Sequence, residues 1–232
     1  MSWLYVKVYP DNAADLLMIT DQIASWQPTW AGADRWFYLY FHDASGVHLR
    51  LRIHSPDLQL LDNVYETLTL RGLQAGITVL PDLYEQEISK WGTETMEAAE
   101  AAFQTSSELC LDLRENPSRT STSALAAFFE CTRRAWKPSP ETWEQFCLTH
   151  CTWWGGRQTE AIADQPHVDV QDVIEKWAPH VLALLRVAKD LPRSVDYYLH
   201  QHLHLTANRL GLTTAQEADV AYECRFLQSE GV

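Results

Sequence analysis

Apolar and polar residues alternate with a period of two over 3–9 and 36–53, and recur with a helical period over most of the remaining chain. Trp3-Leu4-Tyr5-Val6-Lys7-Val8-Tyr9 reads as a strand, and 11–23 as a helix with Leu16, Leu17, Ile19 and Ile23 on its apolar face. Residues 26–32, with Pro28 and Gly32, read as a loop. The stretch from Trp36 to Ile53 reads as a β-hairpin turning at Asp43-Ala44-Ser45-Gly46, residues that tolerate tight reversal, and Pro56 ends its return strand. Leu58, Leu61, Val64, Tyr65 and Leu68 mark a helix over 57–71 with Gly72 in the place of a C-cap, and Ile77-Thr78-Val79-Leu80 marks a further strand. The rhythm is β-α-β-β-α-β, compatible with a small mixed or antiparallel sheet carrying helices on one face.

After Trp91-Gly92 the texture becomes helical. Helices are expected over 94–113, 125–136, 142–151, 170–189 with an interruption at Pro179, and 195–210. A polar loop is expected over 116–123, and a mobile connection from Gly155-Gly156-Arg157 to Pro166. The expected fold class is α+β: one domain over 1–232, with a sheet-bearing part over 1–92 and a helical part over 93–232.

Composition narrows the function. A 232-residue chain with 46% hydrophobic residues and ten tryptophans is long enough to bury a sizeable core. Its net charge of -13, and no basic run longer than Arg133-Arg134, argue against a nucleic-acid surface, because phosphate binding draws on clustered Lys and Arg. The N-terminus lacks a signal-peptide pattern and no stretch has the apolar length of a membrane span. Five scattered cysteines fit reduced thiols, so a cytoplasmic location is expected.

Candidate chemistry starts with Arg50 and Arg52, which share one face of the return strand. Guanidinium groups are costly to bury unless an anion meets them, so the pair suggests an anion site; the plain alternative is a solvated face opposite Leu49, Leu51 and Ile53. His200, His202 and His204 invite a metal reading, but only His200 and His204 share a helix face and no neighbouring acid completes a zinc pattern. Cys147, His150 and Cys151 form another cluster better explained as core. No metal and no cofactor are expected, and there is no glycine-rich dinucleotide or phosphate loop.

Taken in order, the Arg50/Arg52 strand, Tyr84-Glu85-Gln86-Glu87-Ile88-Ser89-Lys90-Trp91-Gly92, Phe103-Gln104-Thr105-Ser106-Ser107 and His204-Leu205-Thr206-Ala207-Asn208-Arg209-Leu210-Gly211 resemble the C-terminal glutamate-elimination domain of class I lantibiotic dehydratases. Free-standing thiopeptide-type bacteriocin biosynthesis proteins share that domain. The resemblance spans nearly the whole chain. It implies removal of glutamate from a glutamylated Ser or Thr of a precursor peptide, leaving dehydroalanine or dehydrobutyrine. On that resemblance Arg50 and Arg52 hold the glutamyl group, Glu87 matches the family's acidic residue, and His204 is the acid or base near the α-carbon. Where relatives commonly read Arg-Tyr-Gly, this chain has Lys90-Trp91-Gly92, which keeps a charge and loses the planar fork. Asn208 lies one helical turn from His204 and is a candidate to orient it. Tyr38, Tyr40, Tyr84 and Glu87 are candidates to stand near the reactive carbon, with Tyr40 counted among the substrate-binding residues. Arg209 is open between holding a carboxylate of Glu87 or Asp43 and facing solvent.

Two other readings stand beside elimination. Relatives of the same family close thiopeptide macrocycles by a formal [4+2] cycloaddition that yields a pyridine. A non-catalytic precursor-peptide-binding subunit would suit Trp26, Trp30, Trp153 and Trp154. The implied partners are a precursor peptide and a separate glutamylating dehydratase subunit, with self-association possible and no direct nucleic-acid or membrane contact.

Overall fold

Four strands form one antiparallel sheet in the order β2-β3-β1-β4, with β1 Trp3–Pro10, β2 Arg35–Asp43, β3 Gly46–His54 and β4 Ile77–Asp82. The computed structural model describes residues 2–12, 16–114, 120–156, 171–187 and 193–227. Helix α1 (Leu16–Trp26) joins β1 to β2, and α2 (Leu58–Ala75) joins β3 to β4. Each joined pair of strands has a third strand inserted between its members, so the two β-α-β units interlock. The chain is therefore α+β, with a purely antiparallel sheet rather than a mixed one. Residues 27–30, expected as loop, form a 3-10 turn.

Alternation sorts the sheet into two faces. Val6, Val8, Leu49, Leu51 and Ile53 are fully buried on the face that packs against α1 and α2, together with Trp36, Tyr38 and Tyr40. The other face carries Tyr5, Lys7, Phe37, Arg50 and Arg52. Asp57 caps α2 by accepting from the Gln59 and Leu60 amides at 3.0 and 3.2 Å.

Gly72 is not the cap expected of it. The helix runs on to Ala75, and Gly76 at φ 67° closes it. Gly72 instead lets α2 approach β4: a Cβ there would lie 2.8 Å from the Ile77 carbonyl oxygen and 2.9 Å from a Val79 methyl. Gly72→Ala is expected to lower stability by about 1–3 kcal/mol despite alanine's better helix propensity. A denaturant midpoint at or above wild type would show that the strand yields.

The remaining helices are α3 (Ile88–Trp91), α4 (Met96–Arg114), α5 (Ser121–Trp136), α6 (Pro140–Trp153), α7 (Gln171–Arg186), α8 (Val195–Arg209) and α9 (Thr214–Cys224). Contacts divide the chain into two compact units, Met1–Ile88 and Ser89–Val232. The core of the second is aromatic and aliphatic, built on Phe128, Phe129, Trp143, Phe146, Trp177 and Leu203. All five cysteines are buried thiols, Cys147 and Cys151 within this core. Helix α7 passes through Pro179 rather than breaking there, because Val173, Trp177 and Val181 recur every four residues and are each at most 2% exposed. Helix α9 was not legible from hydrophobic period. The expected start of α1 at 13–15, the loop residues 116–119 and the connection over 157–166 lie outside the described residues. No helix of the described residues is long and apolar enough to cross a membrane.

Candidate active site

In the first unit, chemistry gathers on the sheet face turned away from α1 and α2. Arg52 stands opposite Tyr5 of β1 and Phe37 of β2, so the pleat directs all three side chains to that face. Tyr84, just beyond β4, lies edge-on to the same group, 6.4 Å from Tyr5 and 6.0 Å from Phe37 between ring centroids. The Arg52 guanidinium carbon is 4.8 Å from the Tyr5 ring, 5.0 Å from Tyr84 and 5.3 Å from Phe37.

Arg52 is only 7% exposed, and its Nε and Nη1 are buried without a hydrogen-bond partner. Burial pulls its pKa down from the ordinary guanidinium value, against the favourable influence of Tyr5, Tyr84 and Glu87, yet an arginine stays charged. A buried cation with two unused donors is an open demand for an anion.

Its neighbours are differently committed. Arg50 lies 3.2 Å over the Phe41 ring and its Nε donates to His48 Nε2 at 3.5 Å. Lys7 is bound to Asp82 at 2.9 Å and stands 3.6 Å from Asp43. Glu87 is exposed and bears electrostatically on Arg52. Tyr40 does not join this group: it pairs with Leu49, lies on the helix-covered face, and its hydroxyl is hydrogen-bonded to Thr20 of α1. Tyr38 shares that face, and Tyr84 alone of the candidate tyrosines lies beside Arg52. The placement of Tyr40 as a substrate contact is thereby corrected.

In the second unit, Lys90 lies 5.4 Å over the Trp91 ring, and Trp91 itself is buried against Phe103, Tyr198 and His202. Arg209 is 1% exposed, with Nε donating to Ser107 at 3.0 Å and Nη1 to Ser106 at 3.3 Å. It does not face solvent; it ties the serines of α4 to the end of α8.

His204 is held from α9 and α6. Its Nδ1 lies 2.9 Å from Glu217 Oε2, and its ring stacks on Trp154 at 3.5 Å and 7°. Glu217 and Trp154 both fix the ring, and Asn208, the residue expected to orient it, lies half-buried one turn further along α8. The other oxygen of Glu217 meets His150 Nε2 at 2.8 Å, and His150 Nδ1 meets His200 Nδ1 at 2.9 Å. Burial works to raise the Glu217 pKa, and the bonds from both histidines outweigh it and hold the carboxylate ionised. Burial lowers the pKa of His150, and that of His200 to about 3, so both rings are neutral. His202 points to the core, beside Trp91 and Trp177, with its pKa lowered to about 3 by burial first. An acid near the α8 histidines therefore exists, brought by α9 rather than by sequence proximity. Among the described residues no group of three or more His, Cys, Asp or Glu side chains is arranged to hold a metal ion.

The first unit is thus a β-α-β-β-α-β sheet with paired strand arginines, and the second a helical unit whose α8 carries His204. The chain belongs to the family described as the lantibiotic biosynthesis dehydratase C-terminal domain, whose model matches residues 3–225. Its fold is similar to that of the tRNA-dependent lantibiotic dehydratase MibB from Microbispora sp. 107891, with 20% identity and a TM-score of 0.71 over 96% of this chain. The chain spans 27% of that protein's length. It is also similar to TbtD, the pyridine synthase from thiomuracin biosynthesis, with 12% identity and a TM-score of 0.61, covering 97% of this chain and 98% of that one. TsrL is similar at 14% identity and a TM-score of 0.53, over 97% of this chain and 94% of its own. No curated protein matches the sequence.

Proposed function

We propose that this chain eliminates glutamate from a peptide whose Ser or Thr side chain has been esterified by glutamate, leaving a dehydroamino acid. The observation that carries the reading is Arg52, a residue only 7% exposed whose guanidinium keeps Nε and Nη1 buried and unused in an aromatic cage. Such a cation suits the free carboxylate of a glutamyl group, which brings the compensating charge and acceptor oxygens for its N–H groups. Arg50 adds a second cation on the same face. His204 is the base for the α-proton, and its bond to a carboxylate stabilises the imidazolium that forms. The reading requires a separate protein that installs the ester, and a precursor peptide as its shared substrate.

The test is mass spectrometry of a synthetic peptide carrying one glutamyl-serine ester, incubated with this protein and with its Arg50→Ala and His204→Ala variants. Conversion to dehydroalanine, lost in both variants, is the expected result. An intact ester, or hydrolysis back to serine, overturns it.

One observation favours a second reading. Trp91 occupies the family's tyrosine position with its ring buried, so no phenol hydroxyl is offered there, and Lys90 supplies a point charge in place of a fork. A site that no longer grips glutamate in that way suits pyridine formation from two dehydroalanines. A peptide carrying two dehydroalanines distinguishes the two: its conversion to a pyridine macrocycle by the purified protein supports the second reading against the first.

A further inference from the structure

Glu217 was not among the residues singled out by sequence, and its position gives it a role. It is 1% exposed, and each of its oxygens receives a histidine: His150 Nε2 at 2.8 Å and His204 Nδ1 at 2.9 Å. An ionised carboxylate only accepts hydrogen bonds, so neutral His204 must carry its hydrogen on Nδ1 and keep the lone pair on Nε2. The Trp154 ring, 3.5 Å away and 7° from parallel, fixes the plane of the imidazole.

The hydrogens on the other two rings of the cluster are fixed in the same way. His150 donates through Nε2, so its Nδ1 is bare and accepts from His200 Nδ1–H at 2.9 Å. Phe146 stacks on the His200 ring at 4.0 Å and 5°, which holds that donor in place. Every hydrogen in the chain of rings has one consistent position, and that order ends on Glu217.

We propose that Glu217 is the positioning residue of His204: it selects the tautomer that presents Nε2 as base and holds that ring against Trp154. The proposal rests on the elimination reading for the identity of the proton taken. In that reaction Nε2 receives the α-proton and the C–H electron pair becomes the Cα–Cβ double bond. The Cβ–O bond breaks with its pair leaving on the glutamate carboxylate. The proton passes from His204 to water. Glu217 touches neither substrate nor reacting atoms.

Glu217→Gln places an amide where a carboxylate accepted two bonds. Its NH2 must then face one of the rings as donor, and against His204 it turns the lone pair to Nδ1 and the hydrogen to Nε2. The expected result is a fall in kcat of about 10²–10⁴-fold with little change in KM, the scale seen when a buried carboxylate that sets a histidine tautomer is made an amide. Glu217→Asp, which keeps the charge, is expected to recover part of the loss.

Imidazole ¹⁵N NMR on the wild-type protein decides the point without a variant that must fold. A neutral His204 protonated on Nδ1 supports the proposal; one protonated on Nε2 overturns it, as does a folded Glu217→Ala variant, which offers His204 no acceptor, with kcat within about threefold of wild type. If the wild-type protein leaves the glutamyl ester intact, the elimination reading falls, while the tautomer measurement still judges the role of Glu217.

Discussion

Arg52→Met is expected to make the protein more stable and to remove its activity on a glutamyl-ester peptide. The stability gain follows from burial: the guanidinium is 7% exposed and two of its donors have no partner. Desolvating an ion costs several kcal/mol, and the cation-π contacts with Tyr5, Phe37 and Tyr84 return about 2 kcal/mol of it. Methionine fills a similar volume, bends to fit, and makes favourable sulfur contacts with aromatic edges. Exchanging a buried ionic group for a hydrophobic one is commonly neutral or stabilising by about 1–4 kcal/mol, and the upper part of that range is expected where donors are orphaned. Activity moves the other way. Losing a desolvated carboxylate contact costs about 2–5 kcal/mol, roughly thirtyfold to several thousandfold in kcat/KM. Denaturant midpoints and the mass-spectrometric assay, read on the same preparation, check both. A destabilised Arg52→Met with normal turnover would make Arg52 a structural residue and remove the main support for the anion site.

How deeply Arg52 is buried depends on packing across three strands, which no local pattern in the sequence specifies. The hairpin was legible because its information is local: alternation over 36–53 and the Asp43-Ala44-Ser45-Gly46 turn. The turn forms as read, with Asp43 accepting from the Ser45 amide at 2.8 Å and Gly46 at φ 118°. The same turn held the answer to Tyr40. Pairing Asp43 with Gly46 places Tyr40 opposite Leu49 and Leu39 opposite Arg50, so Tyr40 had to lie on the face away from the arginines. Register, rather than periodicity, carried that information.

Helix α9 and Glu217 were hidden for a different reason. The buried positions of α9 include Ala218 and Ala221, small side chains that leave a weak apolar stripe, next to Glu217 and Asp219, which read as solvated. The signal that was present is the capping box: Thr213 accepts from the Gln216 amide and Gln216 reaches back to the Thr213 amide. Even with the helix found, its role would have stayed out of reach. His150 and Glu217 are 67 residues apart in sequence, and three helices must pack before His150, Glu217 and His204 meet.

Acid is expected to unfold this protein early, and the buried histidines set the pH. His200 and His202 titrate near 3 in the folded chain, against 6.5 for an ordinary histidine, because burial disfavours the charged ring. Below pH 6.5 the unfolded chain takes up these protons and the folded chain does not. The stability they contribute is therefore present above about pH 6.5 and is withdrawn as pH falls, until the folded rings protonate near 3. Each withdraws up to about 1.4 kcal/mol per pH unit, together about 3 kcal/mol, and His150, lowered in the same direction, adds to the slope. Against a total stability of about 5–15 kcal/mol, that slope brings unfolding between roughly pH 5 and pH 3. Glu217, whose pKa is lowered, contributes stability present above the ordinary glutamate value and lost only as pH falls through its folded one, so it steepens the acid end of the transition. Tryptophan fluorescence in a denaturant series at pH 7 and pH 5 reads the effect. His202→Phe, placed among Trp91, Phe103 and Trp177, is expected to reduce the slope by about 1.4 kcal/mol per pH unit, one proton's worth. A midpoint unchanged from pH 7 to pH 5 would mean that these rings accept protons without unfolding the core. The arrangement also separates the histidines of α8 by environment. His200 and His202 are held neutral by burial, one hydrogen-bonded to His150 and one against tryptophans, while His204, with 24% of its side chain exposed and a carboxylate on Nδ1, is placed where a proton can arrive from outside.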